Sequence, residues 1–168
     1  PALTTGGRLI ASRELRKIGE TLSSPVITQL AFGSYNRMFS PNRTEFDWLS
    51  VNRENVDRYI ADPLCGGEIS VGLFREMLWG IDFIRKSSNL KKMNMNTPVF
   101  FVAGSMDPVG DCGKGVQRAF RSFQHAGVRN VSIKLYPGAR HEILNDNCRE
   151  TVQKDLFQWL SAQIPAQP

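Results

Sequence analysis

The spacing of hydrophobic positions along this chain changes between residues 89 and 97. Before that point, apolar residues recur at the intervals of an α-helix. The strongest helical stripe, between Ser70 and Lys86, consists of Phe74, Met77, Leu78, Ile81 and Ile84. A looser stripe runs from Gly7 to Leu30 with an interruption before Pro25, and a short helix in NVDRYIADP ends at Pro63. We therefore predict a helical region over residues 1–92.

A different pattern follows Pro98. VFFVAG is an uninterrupted apolar run, typical of a strand buried on both faces of a parallel sheet, and VSIKLY alternates as a strand nearer the sheet edge does. A helix that ends at Gly127 separates the two runs, and a last helix follows them. The apolar face of this last helix consists of Val152, Leu156, Trp159 and Leu160. Residues 93–168 are thus predicted to form a parallel β-α-β-α unit, whose neighbouring strands must come from elsewhere.

Composition and charge narrow the possible partners. With 168 residues, of which 41% are hydrophobic and 22% charged, the chain is typical of a globular protein with one core. The net charge is +5, but Lys and Arg are scattered from Arg8 to Lys154, so we expect no nucleic-acid partner. No apolar run reaches the ~18 residues of a membrane span, and the N-terminus has no signal pattern. Three distant cysteines without a CxxC motif favour reduced thiols in the cytoplasm.

Two polar residues follow the predicted strands, at the positions where α/β sheets place their chemistry. Asp107 comes four residues after Ala103, and His141, in LYPGARHEILN, comes five residues after Tyr136. Because adjacent parallel strands lie about 4.8 Å apart, short loops can bring this carboxylate and this imidazole together. The carboxylate would fix the tautomer and leave the other ring nitrogen free as a general base. The ordinary alternatives are a turn residue before Pro108 and a surface or packed histidine.

VFFVAGSMDPVG followed by YPGARHEILN resembles the last third of an α/β-hydrolase, and more narrowly the lysophospholipase and monoacylglycerol-lipase-like group, which is serine aminopeptidase S33-like. In that group G-x-x-D-P-V contains the acid of the catalytic triad, and Y-x-x-x-x-H-E-x-x-N contains its histidine. LAFGSYNRMF, FDWLS and DRYIADPLCG are similar to the helical cap inserted after the sixth core strand. The resemblance implies a cap over residues 1–92, the C-terminal part of the hydrolase core over residues 93–168, and Asp107 and His141 as triad acid and base.

The sequence departs from this family at the nucleophile. The triad serine of α/β-hydrolases lies in G-x-S-x-G, between a strand and a helix. No serine of this chain has that context: Ser34, Ser70 and Ser105 lie in AFGSYNR, GGEISVG and VAGSMDP. The oxyanion hole would come from the same missing part. We therefore expect a C-terminal half that is inactive alone and is completed by an N-terminal half, from the same gene or from a separate chain.

By this resemblance the completed protein is a cytoplasmic serine hydrolase that acts on small ester substrates such as monoacylglycerols or lysophospholipids. No metal or organic cofactor and no stable membrane insertion are expected. Two alternatives stay open at this point. One is a peptidase or amidase of the same superfamily, and the other is a binding module without catalysis.

The cap-like region is rich in aromatic residues, including an irregular stretch that should pack against something. Some of these rings are candidates for an acyl or leaving-group pocket, and packing in the core is the alternative for each. The candidates are Phe32, Phe46, Trp48, Phe74 and Trp79. Glu142, directly after the histidine, is expected to cap or to form a salt bridge nearby, and tuning of the base is the alternative role.

Overall fold

The N-terminal region is helical in a computed structural model, which describes residues 2–164. Its helices are α1 (Ala2–Ile18), α2 (Pro25–Phe32), α3 (Arg53–Ala61), α4 (Val71–Ile84) and α5 (Ser87–Leu90), and 3-10 turns lie at Tyr35–Phe39 and Asp47–Leu49. The Asn52 side chain accepts a hydrogen bond from Asn55 N at 3.2 Å and so caps α3. Ser70 caps α4 in the same way, through Leu73 N at 3.2 Å. None of the described helices is long and apolar enough to cross a bilayer.

The helical region has its core where α1, α2 and α4 meet. The buried members of this core are Ala11, Ile27, Val71, Phe74 and Leu78. The stripe predicted on α4 is only partly buried, because α1 covers one side of it. Phe74 and Leu78 lie inside, whereas Met77 is 42% exposed and Ile84 is 62% exposed. On α4, apolar side chains therefore extend beyond the face that the described residues cover.

The second part of the chain is built on two parallel strands. Its elements are β1 (Val99–Gly104), α6 (Lys114–Ala126), β2 (Val131–Tyr136) and α7 (Arg149–Gln163). The register pairs Val99 with Val131 and Gly104 with Tyr136, so the two strands end together. Gly127 ends α6 with a φ of 102°, a left-handed conformation that favours glycine. The predicted parallel β-α-β-α unit is confirmed.

One helix covers each face of this small sheet. Successive residues of a strand point to opposite faces, so Phe101 packs edge-on against Phe123 of α6 while Phe100 stacks on Trp159 of α7. The first four residues of β1 are nevertheless only half-buried. Among the described residues β2 is the one strand that pairs with β1, so the other edge of β1 is open, and its full burial in a larger sheet stays a prediction.

Candidate active site

Two loops follow the carboxyl ends of β1 and β2 and lie against each other. We name them the Asp107 loop (residues 105–113) and the His141 loop (residues 137–148). Three hydrogen bonds of 2.9 Å connect this corner: Ser105 N to Tyr136 O, Met106 N to Ala139 O, and Gly138 N to Ser105 Oγ. The two loops are therefore fixed relative to each other largely through their backbones.

Gly104, the last residue of β1, allows this close approach. A Cβ atom at this position would lie 2.1 Å from the carbonyl oxygen of Arg140 and 2.3 Å from that of Ala139. Such distances are well inside van der Waals contact, so glycine is the residue that fits. Because Gly104 has no side chain, the His141 loop can lie directly over the end of β1.

Asp107 is held in a tight turn after β1. Its amide donates to Gly104 O at 3.2 Å, and its carbonyl accepts from Cys112 N at 2.8 Å. Its carboxylate Oδ1 accepts from Val109 N at 2.9 Å, and only 7% of the residue is exposed. The loop thus orients the carboxylate and leaves further acceptor capacity for a second donor.

That second donor is His141. Its Nδ1 lies 3.1 Å from Oδ1 and 3.2 Å from Oδ2 of Asp107, so Nδ1–H donates and the neutral ring has its lone pair on Nε2. The hydrogen bond with Asp107 raises the pKa of His141 above its ordinary 6.5, against the opposing effect of burial. Among residues 4–164, whose side chains are described, none hydrogen-bonds to Nε2. An imidazole held in this way can act as a general base.

One aromatic ring from the helical region contacts His141, and two more rings pack against that ring. Trp48 lies 5.2 Å from the imidazole, measured between ring centroids. Tyr35, at 5.2 Å, and Phe32, at 6.2 Å, both pack against Trp48, and we name these three residues the aromatic cluster. Burial, together with the nearby Asp107 carboxylate, raises the pKa of Tyr35. The cluster forms an apolar wall next to the imidazole.

The five aromatic candidates from the sequence are divided between this site and other places. Phe32 and Trp48 belong to the aromatic cluster. The other three are Phe46, which packs against Tyr59 at 5.1 Å, Phe74, which is buried in the helical core, and Trp79, which stacks on Phe83 at the surface of α4. No ring contact connects these three with the aromatic cluster among the described residues.

Sequence reasoning did not single out Tyr35, Arg140 or Asp146, all of which the structure places around the Asp–His pair. Arg140 points its guanidinium at the backbone of residues 47–50, and Asp146 is 1% exposed. Glu142 does not form a salt bridge among the described residues; it accepts a hydrogen bond from Asn55 Nδ2 at 2.8 Å. The charged residues on both sides of the histidine, Arg140 and Glu142, could have been recognised in the sequence as candidates. Asp146 gives no such signal, because it lies in an ordinary loop sequence, Asn-Asp-Asn.

No serine hydroxyl in the described part of the chain reaches Nε2 of His141. Ser105 Oγ accepts from Gly138 N, Ser70 caps α4, and Ser34 precedes the 3-10 turn at Tyr35–Phe39. Among side chains 4–164 there is also no group of three or more His, Cys, Asp or Glu residues that could hold a metal ion. The polar pair that the structure brings together at this corner is the carboxylate of Asp107 and the imidazole of His141.

Comparison with known proteins shows which hydrolases this chain resembles. A family model described as serine aminopeptidase, S33, matches residues 1–148. A monoacylglycerol lipase from Mycolicibacterium smegmatis is 24% identical over 147 residues, which are 84% of this chain and 49% of that lipase. The crystal structure of a thermostable carboxyl esterase from Bacillus coagulans superposes with a TM-score of 0.85 at 21% identity, covering 95% of this chain and 52% of the esterase. For a soluble variant of the monoglyceride lipase from Saccharomyces cerevisiae, the TM-score is 0.62 at 20% identity, with 86% and 54% coverage.

The family model covers the helical region and continues through β1, α6 and β2, and the esterase superposition covers 95% of the chain. The chain spans about half the length of the proteins it matches. The shared architecture confirms the expected fold, part of an α/β-hydrolase sheet together with a helical region. Because the family model covers most of its length, the chain belongs to the serine aminopeptidase S33 family of α/β-hydrolases.

Proposed function

We propose that the protein is a serine hydrolase of carboxylic esters in which Asp107 orients His141 and His141 takes a proton from a serine. The observation that supports this most is the 3.1 Å hydrogen bond from His141 Nδ1 to Asp107, at the carboxyl ends of two adjacent parallel strands. Relatives named as a monoacylglycerol lipase and a carboxyl esterase support the ester class.

In this mechanism the imidazole acts twice. Nε2 accepts the hydroxyl proton while the serine oxygen attacks the ester carbonyl, and the resulting imidazolium then donates that proton to the leaving alcohol. Water attacks the acyl-enzyme with the same assistance and releases the carboxylic acid. Asp107 stays ionised throughout, keeps Nδ1–H in place and stabilises the imidazolium.

We assign the nucleophile and the oxyanion hole to an N-terminal half outside residues 1–168, from the same gene or from a separate chain. Two observations support this assignment. No serine of the sequence lies in G-x-S-x-G, and no described serine hydroxyl reaches Nε2. On this proposal the isolated chain is inactive, and its principal macromolecular partner is that N-terminal half.

The aromatic cluster supports a substrate with an apolar chain, of the monoacylglycerol or lysophospholipid type. Trp48 is 8% exposed and lies against the imidazole, while Phe32 is 39% exposed and continues the same apolar wall outward. An acyl chain or an apolar leaving group placed along this wall would bring its ester carbonyl towards His141. The region 1–92 is then a cap over the site. The three cysteines of the chain are free, one in this cap and two in the core part, and they are the basis for placing the protein in the cytoplasm.

The first experiment is an intact-mass spectrum of the purified protein before and after treatment with a fluorophosphonate, which labels activated serines. The expected result is a probe adduct on a polypeptide or segment outside residues 1–168, and its loss in an Asp107→Asn, His141→Gln double variant. An adduct on a serine within residues 1–168 would contradict the assignment of the nucleophile.

A peptidase or amidase is the second candidate, because the family model itself is described as a serine aminopeptidase. Hydrolysis of long-chain and short-chain nitrophenyl esters, measured beside hydrolysis of aminoacyl amides, separates the two activities. We expect a higher kcat/KM for the esters, and for long acyl chains over short ones. A preference for aminoacyl amides would overturn the ester proposal and leave the roles of Asp107 and His141 in place.

A further inference from the structure

The His141 loop is attached to one distant stretch of the helical region, residues 47–55, which we name segment 47–55. On one side of the histidine, Glu142 N donates to Leu49 O at 2.8 Å, and the Glu142 carboxylate accepts from Asn55 Nδ2 at 2.8 Å. Two more charged residues complete the attachment: Arg140, directly before the histidine, and Asp146, further along the same loop. The backbone on both sides of His141 is therefore tied to residues that precede it by more than 80 positions.

Asp146 is a buried carboxylate that binds backbone amides. Its Oδ2 accepts from Arg140 N at 3.1 Å and from Val51 N at 3.3 Å, and its Oδ1 accepts from Asn147 N at 2.7 Å. With 1% exposure, the carboxylate depends on these donors, because a buried polar group without hydrogen-bond partners is costly. The carboxylate thus joins the residue directly before the histidine to the middle of segment 47–55.

Arg140 attaches the same loop through its side chain. Its Nη1 donates to the carbonyl oxygens of Asp47 and of Ser50, the latter at 3.2 Å, and its guanidinium lies 3.9 Å from the centre of the Phe39 ring. Burial lowers the pKa of Arg140, while the nearby Asp47 and Asp146 carboxylates act in the opposite direction. The Arg140 side chain thus connects the His141 loop with segment 47–55.

We propose that Arg140 and Asp146 are positioning residues of the catalytic base: they bind the His141 loop to segment 47–55 and so hold the imidazole against Asp107. This inference rests on the proposed function. The single hydrogen bond of the ring to Asp107 fixes its tautomer, but the direction from which the ring approaches depends on the backbone of residues 140–142. That backbone is anchored to segment 47–55, which also supplies Trp48 beside the ring. On this proposal the helical region helps to hold His141 in position, in addition to covering the site.

The test is the pKa of His141 in the completed protein, which is residues 1–168 together with the proposed N-terminal half, measured by NMR with ¹³C-labelled histidine. The signal is identified by its loss in His141→Gln. We expect the pKa of His141 to fall relative to the parent in both Asp146→Asn and Arg140→Met. In either variant the ring would be held less firmly, so it would hydrogen-bond less often to the Asp107 carboxylate, which raises that pKa. The two substitutions change the local charge in opposite directions. A purely electrostatic effect would therefore lower the pKa in Asp146→Asn and raise it in Arg140→Met.

Asp155→Asn is the matched control. Asp155 is also a hydrogen-bonded carboxylate near the sheet, where it accepts from Tyr136 Oη at 3.0 Å and pairs with Lys134 at 2.6 Å. The variant should lower the melting temperature and leave the pKa of His141 as in the parent. If Asp146→Asn does not fold, Arg140→Met and Arg140→Lys decide the question, with a smaller fall expected for Arg140→Lys. A parent-like or higher His141 pKa in Arg140→Met overturns the proposal.

Kinetics provide the second readout and separate this proposal from the function on which it rests. In a preparation that hydrolyses esters, Arg140→Met should lower kcat about 10- to 100-fold with KM little changed, as a misplaced catalytic group does. A parent protein that includes the N-terminal half and still lacks esterase activity would count against the proposed function, while the comparison of His141 pKa values would still stand. Unchanged kcat in Arg140→Met with a parent-like His141 pKa would overturn the positioning role alone.

Discussion

Replacing Gly104 with alanine tests whether the close contact of the two loops sets the geometry of the Asp–His pair. The new Cβ would lie 2.1 Å from Arg140 O and 2.3 Å from Ala139 O. A carbon atom and a carbonyl oxygen normally approach to about 3.3 Å, so the His141 loop and the end of β1 must separate by about 1 Å. Both clashing atoms are backbone, so a rotation of one side chain cannot relieve the contact.

A separation of about 1 Å is large compared with the hydrogen bonds at this corner. The bond from Met106 N to Ala139 O, now 2.9 Å, would pass out of hydrogen-bonding range, and so would the 3.1 Å contact of His141 Nδ1 with Asp107. We expect overpacking to cost about 1–3 kcal/mol of stability. The misplaced imidazole should lower kcat for ester hydrolysis by about 100-fold.

The assay combines thermal unfolding with kcat and KM for a nitrophenyl ester, in the protein that hydrolyses it. Gly80→Ala is the matched control, because Gly80 lies within α4 and a Cβ there meets nothing within 4 Å. This second variant should keep full activity and gain about 0.5–1 kcal/mol from the better helix propensity of alanine. Parent-like activity and melting in Gly104→Ala would refute the reasoning from the loop contact.

Four further outcomes are expected. Asp107→Asn should lower kcat by about 10⁴-fold, because the ring loses the acceptor that fixes its tautomer; a loss below about tenfold would argue against the assigned acid. Since Asp107 raises the pKa of His141, kcat/KM should rise with pH along an acid limb centred above 6.5, and a lower midpoint would contradict the shift. The same raised pKa of His141 should stabilise the fold below pH 6.5, and this stabilisation should be lost as pH rises through the folded-state pKa. The melting temperature of His141→Gln should not show this pH dependence. Residues 1–168 alone should show no cooperative thermal transition, because β1 has an unpaired edge, and a sharp one would favour the binding module.

The strands and the Asp–His pair could be predicted from the sequence because both depend on local order along the chain. VFFVAG and VSIKLY have the apolar patterns of strands, and the structure places β1 and β2 on the same residues. Parallel strands in register end at the same edge of a sheet, so a polar residue shortly after each end lies near the other. This reasoning needs no knowledge of the neighbouring helices.

The aromatic candidates could not be sorted in this way. Phe74 and Trp79 lie on one helix, α4, on which apolar residues occupy most directions, so periodicity does not reveal which of them faces a core. Phe32 and Trp48 come together with His141 only through the path of an irregular stretch with two 3-10 turns. Such a path depends on tertiary contacts that hydrophobic patterns do not describe.

The attachment of the His141 loop is hidden from the sequence for a different reason. Asp146 binds the amides of Arg140 and Val51, and Arg140 binds the carbonyl oxygens of Asp47 and Ser50. Every residue has a carbonyl and every residue except proline has an amide, so these partners impose almost no side-chain preference on segment 47–55. The charged residues of the loop are visible in the sequence, but what they bind is backbone about 90 positions away. The proposed support of His141 through backbone groups can therefore be recognised only once the fold is known.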